Sequence, residues 1–212
     1  MNASLPSGGS TPAFRRLLGS LNCDGRRGIA LAILFLALIL PELGGEAGRL
    51  ALRYDRGAVG AGEWWRLLTA HIVHLDLEHA VLNALGLVLM WALFARDYSA
   101  RAWLVIVLTS IAAIDAGFWF RDTNLAWYVG SSGALHGVMA AGTLAHVLRR
   151  DLDGWILAAF VIVKLAFEQS TGALPFAEAD ASVVVNAHLY GSLGGLAGAA
   201  AIIARPLRFG RA

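Results

Sequence analysis

GSSGALHG, Gly130–Gly137, and AHLYGSLGG, Ala187–Gly195, decide how this chain is read. Each opens an apolar run of helical length. The first sets Ser132 among glycines, and the second sets His188 about one turn ahead of Gly191. A serine hydroxyl is a weak nucleophile at neutral pH until a base takes its proton, and histidine is the usual base. Glycines on both runs let two helices approach closely enough for those side chains to meet.

The surrounding composition is that of a membrane protein. Of 212 residues, 58% are hydrophobic and only 15% are charged, against about a quarter charged in an ordinary soluble domain. Mean hydropathy is +0.62. Apolar runs near the length of a bilayer-crossing helix recur, which predicts an all-α polytopic bundle. The expected spans are Gly28–Leu43, Leu77–Phe94, Ala102–Phe120, Ser132–Leu148, Trp155–Gly172 and Val183–Ala204. Residues 1–27 read as a polar, partly disordered cytoplasmic arm, 28–204 as one six-helix domain, and 205–212 as a short basic tail. A signal peptide is the alternative for the first run, but no A-x-A-like site follows it. Gly44–Leu75 reads as a long mixed loop, with Trp64 and Trp65 suited to a membrane interface.

The net charge is only +2, and its cations are arginines apart from Lys164. They lie between the apolar runs, which argues against a nucleic-acid partner. The single cysteine, Cys23, excludes an intrachain disulfide. Arg15, Arg16, Arg26 and Arg27, then Arg96 and Arg101, then Arg149 and Arg150, then Arg205, Arg208 and Arg211 occupy alternate ends of the six spans. The positive-inside rule then places both termini in the cytoplasm. Glu178 and Asp180 fall in an external connection.

This topology sets four polar residues at one depth. Ser132 starts the fourth span, His188 lies a turn into the sixth, and His79 and Asn83 lie within about two turns of the start of the second. At about 1.5 Å per residue all four sit in the outer third of the bilayer. Polar groups are costly in lipid and usually face a shared cavity. A Ser–His pair there predicts an intramembrane serine protease. Taken alone, Ser132 also fits a small residue in a helix interface, and His188 a hydrogen-bonded core histidine. Gly191, Gly194, Gly195 and Gly198 serve helix packing on either account. His79 and Asn83, spaced HxxxN, share a helix face and could donate hydrogen bonds to an oxyanion, or form a capping pair. No carboxylate occurs in either motif, so a third triad member is not evident.

These residues resemble the rhomboid family of intramembrane serine proteases. The likeness runs through EWWR at Glu63–Arg66, His74, HAVLN at His79–Asn83, GSSG at Gly130–Gly133 and AHLYG at Ala187–Gly191. It implies that Ser132 is the nucleophile, His188 the base, and His79 and Asn83 part of the oxyanion hole. It implies that Trp65 and Arg66 structure a first loop lying partly in the membrane, and that Gly130 and Gly133 support the serine. Many rhomboids carry a tyrosine four residues after the serine, stacked on the histidine; here that residue is His136. The LHG ending, the short chain and KLAFEQ at Lys164–Gln169 resemble the rhombosortase branch. That likeness implies single-span membrane substrates ending in a sorting tail: a glycine-rich motif, an apolar helix and a basic cluster. The implied location is the cell inner membrane, with the active site toward the external or periplasmic side and lipid as a partner.

Lys164 and Glu168 stand one turn apart in the fifth span, and Asp115 in the third. Such charges call for pairing or water. Lys164 and Glu168 suit a gate or substrate contact, and equally a buried ion pair fixing helix register. His71, His74, Asp76, Glu78 and His79 cluster in sequence, but HExxH is missing, so no metal and no cofactor is expected.

Overall fold

A computed structural model describes residues 12–172 and 185–204. The described residues are mostly helical. Helix α1 (Pro12–Ser20) precedes α2 (Gly25–Ile39), a 3₁₀ turn over Leu40–Gly44 and α3 (Gly45–Leu52). Short pieces follow: β1 (Tyr54–Asp55), α4 (Arg56–Gly60) and α5 (Arg66–Thr69). The long helices are α6 (Leu77–Phe94), α7 (Ala100–Phe120), α8 (Ser132–Arg149), α9 (Leu152–Thr171) and α10 (Val185–Ala204), with β2 (Trp127–Tyr128) between α7 and α8.

Several expectations change. The amino-terminal arm carries helix α1 over its described part, while residues 1–11 lie outside the described residues. The first apolar run does not stop near Pro41. Proline lacks an N–H and clashes with the carbonyl four residues back, and the chain meets this by tightening into the 3₁₀ turn, with Pro41 in its first turn, before resuming as α3. The stretch expected as a mixed loop is therefore largely ordered into α3, α4 and α5. It also holds the one strand pair of the described residues, β1 against β2, antiparallel, with Tyr54 opposite Tyr128 and Asp55 opposite Trp127. Residues 183 and 184, Glu178, Asp180 and the 205–212 tail lie outside the described residues.

Among the described residues, four segments are long and apolar enough to cross a membrane: Gly25–Leu52, Leu77–Phe94, Ala100–Phe120 and Val185–Ala204. Helices α8 and α9 have 18 and 20 residues, but polar residues dilute them: Ser132, His136, Thr143 and His146 on α8, and Asp153, Lys164 and Glu168 on α9. The most enclosed span is α10, 44% buried, against 6% for Gly25–Leu52. Outward-facing Leu82, Leu85, Leu89, Leu104, Ile162 and Val163 are exposed, as suits helices surrounded by hydrocarbon.

α10 packs between α7 and α8. A Cβ on Gly191 would overlap the carbonyl oxygen of Gly133, and one on Gly195 would overlap that of Gly137 one turn further on. The two backbones thus meet directly. Tyr54, Val59, Ala70, Ile114, Phe118, Tyr128 and Ala187 form a core that binds the first-loop segment to α7 and α10 near the start of α8. At the far end of α8, His146 bonds Asp97 at 3.1 Å and Asp153 at 2.8 Å, tying the α6–α7 connection to the first turn of α9.

Gly191→Leu is expected to separate α8 from α10, because a backbone carbonyl cannot move aside as a side chain can. Overpacking typically costs about 1–3 kcal/mol, and the thermal unfolding midpoint in detergent should fall accordingly. Gly44→Ala is the control: its φ is −74° and nothing lies within 4 Å of the added Cβ. It should stay within about 0.5 kcal/mol of the parent. Equal midpoints for Gly191→Leu and the parent would contradict the backbone contact.

Candidate active site

The site begins with a turn ahead of α8. Gly130 has φ +120°, a region that side chains rarely enter. Its carbonyl accepts from the Tyr128 hydroxyl at 2.7 Å, and its N–H donates to the Ala70 carbonyl at 2.9 Å. Because Tyr128 also pairs with Tyr54, the first-loop segment and the Ser132 turn are held as one piece. Ser132 is the first residue of α8. Its N–H therefore belongs to the helix's unsatisfied amino-terminal set.

Across the α8–α10 contact, Ser132 Oγ lies 3.0 Å from His188 Nε2. His188 is buried, and its Nδ1 lies 3.0 Å from Glu168 Oε2 on α9. Glu168 Oε1 in turn accepts from Lys164 Nζ at 2.5 Å. His136 stacks on His188, with centroids 4.0 Å apart and planes inclined by 16°. The Nδ1–H of His136 donates to the Ser132 carbonyl at 2.7 Å, which fixes the stacking ring to the same turn as the serine.

A second polar chain lies on the α6 side. Asp76 caps α6 by accepting from the His79 N–H at 2.8 Å. Asn83 Nδ2 donates to the His79 carbonyl at 2.9 Å, while Asn83 Oδ1 accepts from the Ser131 hydroxyl at 3.2 Å. The Ser131 oxygen accepts from His74 Nε2 at 3.3 Å. His79 Nδ1 accepts from the Leu75 N–H at 3.4 Å, so the ring proton sits on Nε2. That edge faces Gly130, where an added Cβ would lie 3.0 Å from Cε1 and 3.3 Å from Nε2. Among the described residues, neither His79 nor Asn83 bonds to Ser132 or His188; both stand beside the turn that presents the serine.

Arg66 is buried and holds the first loop together. It pairs with Glu63 at 2.6 Å and donates to the carbonyls of Leu50 at 2.8 Å and Arg53 at 2.9 Å. Trp65 is more than half exposed and donates to the Ala51 carbonyl at 3.4 Å. Asp115 pairs with His71 at 3.4 Å.

Glu168 lies on α9. Its side chain is buried and turned onto His188. The i,i+4 spacing indicates the Lys164 pairing correctly, but not which face of α9 addresses α10. Ser131 and Tyr128 were also not singled out by sequence, since a serine and a tyrosine beside a glycine-rich motif carry no distinguishing pattern. The sequence cluster His71, His74, Asp76, Glu78 and His79 does not converge on a point: His71 turns to Asp115, His74 to Ser131, and Asp76 caps α6. Donor atoms of His136, Glu168 and His188 do lie within 4.8 Å of one another. Both nitrogens of His188 and both oxygens of Glu168 are engaged there by protein groups.

Burial, reinforced by the neighbouring His79, lowers the His74 pKa from its ordinary 6.5 to about 4. The unfolded chain therefore takes up this proton first as pH falls, and the stability contributed is lost between about pH 6.5 and 4. The upper limit is about 3 kcal/mol at 1.36 kcal/mol per unit. Melting profiles in detergent from pH 7.5 to 4 should be flatter for His74→Gln than for the parent. Parallel profiles would show that His74 is not buried neutral.

A family model described as the Rhomboid domain matches residues 61–205. That range holds EWWR, His74, HAVLN, GSSG and AHLYG. The chain is 26% identical over 164 residues to a Bacillus subtilis (strain 168) protein named "Putative rhomboid protease YdcA", covering 77% of this chain and 80% of that one. It is 29% identical over 178 residues to "Rhomboid protease GluP" of the same organism, covering 81% of this chain and 34% of that longer protein. With the matched domain spanning most of its length and all the residues assembled above, the chain belongs to the rhomboid family of intramembrane serine proteases.

Proposed function

We propose that this chain is an intramembrane serine endopeptidase using Ser132 as nucleophile and His188 as base. The observation that carries the reading is the 3.0 Å approach of Ser132 Oγ to His188 Nε2. Ser132 Oγ attacks the scissile carbonyl carbon as its proton passes to Nε2. The tetrahedral oxyanion collapses, the C–N bond breaks, and the proton on Nε2 goes to the leaving amine. Water then attacks the acyl-enzyme, again losing its proton to Nε2, and Ser132 is regenerated. The developing oxyanion is met by the Ser132 N–H, the second Nδ2 hydrogen of Asn83 and the Nε2–H of His79, donors of the kind such a charge requires.

α8 and α9 complete a six-span bundle in this reading, with Ser132, His136, Thr143, Lys164 and Glu168 turned into the protein rather than toward lipid. Both termini are cytoplasmic by the arginine distribution, and the site opens toward the external or periplasmic face of the cell inner membrane. Ser132→Ala and His188→Ala should each lower turnover by at least about 10³-fold, and the double variant should be little worse, because the two act as a unit. Asn83→Ala and His79→Ala should each lower kcat by about 10²–10³-fold. The assay is cleavage of a single-span fusion substrate by purified protein in proteoliposomes. Turnover near the parent in Ser132→Ala would overturn the mechanism.

The substrate class we infer is a single-span protein with a rhombosortase-type tail: glycine-rich motif, apolar helix and arginine cluster. KLAFEQ and the LHG ending support this branch. In the proposed orientation the arginines lie in the cytoplasm and the glycines reach the depth of Ser132. Glycine disfavours helix by about 1 kcal/mol relative to alanine, so the scissile segment unwinds there. Replacing two tail glycines with leucine, with helix and arginines retained, should collapse cleavage. Equal cutting of both tails would leave a rhomboid protease without a sorting role.

A further inference from the structure

Glu168 is a buried carboxylate that the two-residue mechanism leaves unused. Its side chain is 3% exposed, yet it lies within the span of α9, where an ionised group is expensive unless paired. It has two partners. Oε1 takes the Lys164 ammonium at 2.5 Å, and Oε2 faces His188 Nδ1 at 3.0 Å.

We propose that Glu168 is a positioning residue that converts the Ser132–His188 pair into a triad, with Lys164 keeping the carboxylate ionised. The inference rests on the serine protease reading above. An ionised carboxylate only accepts hydrogen bonds, so the proton between Glu168 and His188 resides on Nδ1. Nε2 then carries the lone pair, which is the tautomer that can take the Ser132 proton. Without that bond, nothing on the Nδ1 side chooses between tautomers.

Charge accounting points the same way. At rest, Lys164 and Glu168 cancel and His188 is neutral. When Ser132 attacks, Nε2 gains a proton and the substrate gains an oxyanion, so the new charges are one positive and one negative. The imidazolium forms against a carboxylate already in place, with no solvent reorganisation, which is the condition under which fixed charges stabilise a transition state best. Glu168 keeps its charge throughout, and the Nδ1 proton stays on the ring. His136 fixes the remaining freedom: the stack holds the imidazole plane, and Glu168 holds its rotation within that plane.

A helix-anchoring ion pair would use the same residues but leave different traces. In proteoliposomes, Glu168→Gln should lower both kcat on the tail-bearing fusion and the rate of fluorophosphonate labelling of Ser132 by about 10²–10⁴-fold. KM should stay within about twofold. Glu168→Asp should recover at least tenfold of the loss. Nitrogen-15 NMR of His188 in the parent protein should show Nδ1 protonated and Nε2 unprotonated, with a strongly downfield Nδ1 proton that disappears in Glu168→Gln. Should Glu168→Gln unfold, the parent tautomer alone decides, and a proton on Nε2 overturns the proposal. A folded Glu168→Gln with unchanged kcat and labelling also overturns it, while an inactive Ser132→Ala in the same assay leaves the protease reading standing.

Discussion

The direct backbone contact between α8 and α10 is the constraint on which the site depends. Side chains at Gly133 and Gly191 would hold the helix axes apart by the width of at least one methyl group. Ser132 Oγ and His188 Nε2 would then leave the 3.0 Å separation they now have. Both residues precede or adjoin the contact glycines: Ser132 immediately before Gly133, and His188 three residues before Gly191. The motif glycines and the catalytic candidates therefore form one device. The same spacing that closes the interface aims the two side chains at each other, and the Gly137–Gly195 contact one turn below keeps the helices from pivoting.

Burial then dictates how the polar groups around that contact are arranged. Lipid offers no hydrogen bonds, so the buried polar side chains beside the start of α8 look to one another for partners. Two chains of such partners flank Ser132. One runs Lys164–Glu168–His188–Ser132, and the other His74–Ser131–Asn83, closing on the His79 carbonyl. They approach the start of α8 from opposite sides, through adjacent residues Ser131 and Ser132. The Ser132–His188 pair and the His79–Asn83 pair are thereby held by separate chains, although their anchoring residues Ser131 and Ser132 are neighbours in sequence.

Much of this was legible because membrane helices and glycine contacts leave strong local signals. The apolar runs give the long helices α6 to α10 to within a few residues, and α6 is matched from Leu77 to Phe94. The motifs bring Ser132, His188 and His136 together, and i,i+4 spacing gives the Lys164–Glu168 pair. What escaped was orientation about a helix axis. α9 is apolar on most sides, so its pattern does not say that the Glu168 face meets α10. Pairing of two-residue strands escaped for a different reason. Tyr54 and Tyr128 are separated by 73 intervening residues, and neither stretch shows strand periodicity. Pro41 misled in a third way, since it ends an ideal α-helix but not a chain free to tighten into a 3₁₀ turn.

The Ser131 hydroxyl has a consequence for the neighbouring amide. By donating to Asn83 Oδ1 it commits that oxygen, and His79 O takes one Nδ2 hydrogen. The amide cannot flip without facing the Ser131 donor with a second donor and the His79 carbonyl with an acceptor. The remaining Nδ2 hydrogen is left as the free group beside the Ser132 turn. Neutral His74 keeps the arrangement in register, because its Nε2–H fills the Ser131 acceptor and so directs the Ser131 proton toward Asn83. A residue outside both motifs thus sets the direction of a hydrogen bond inside the site, through a serine that does no chemistry itself.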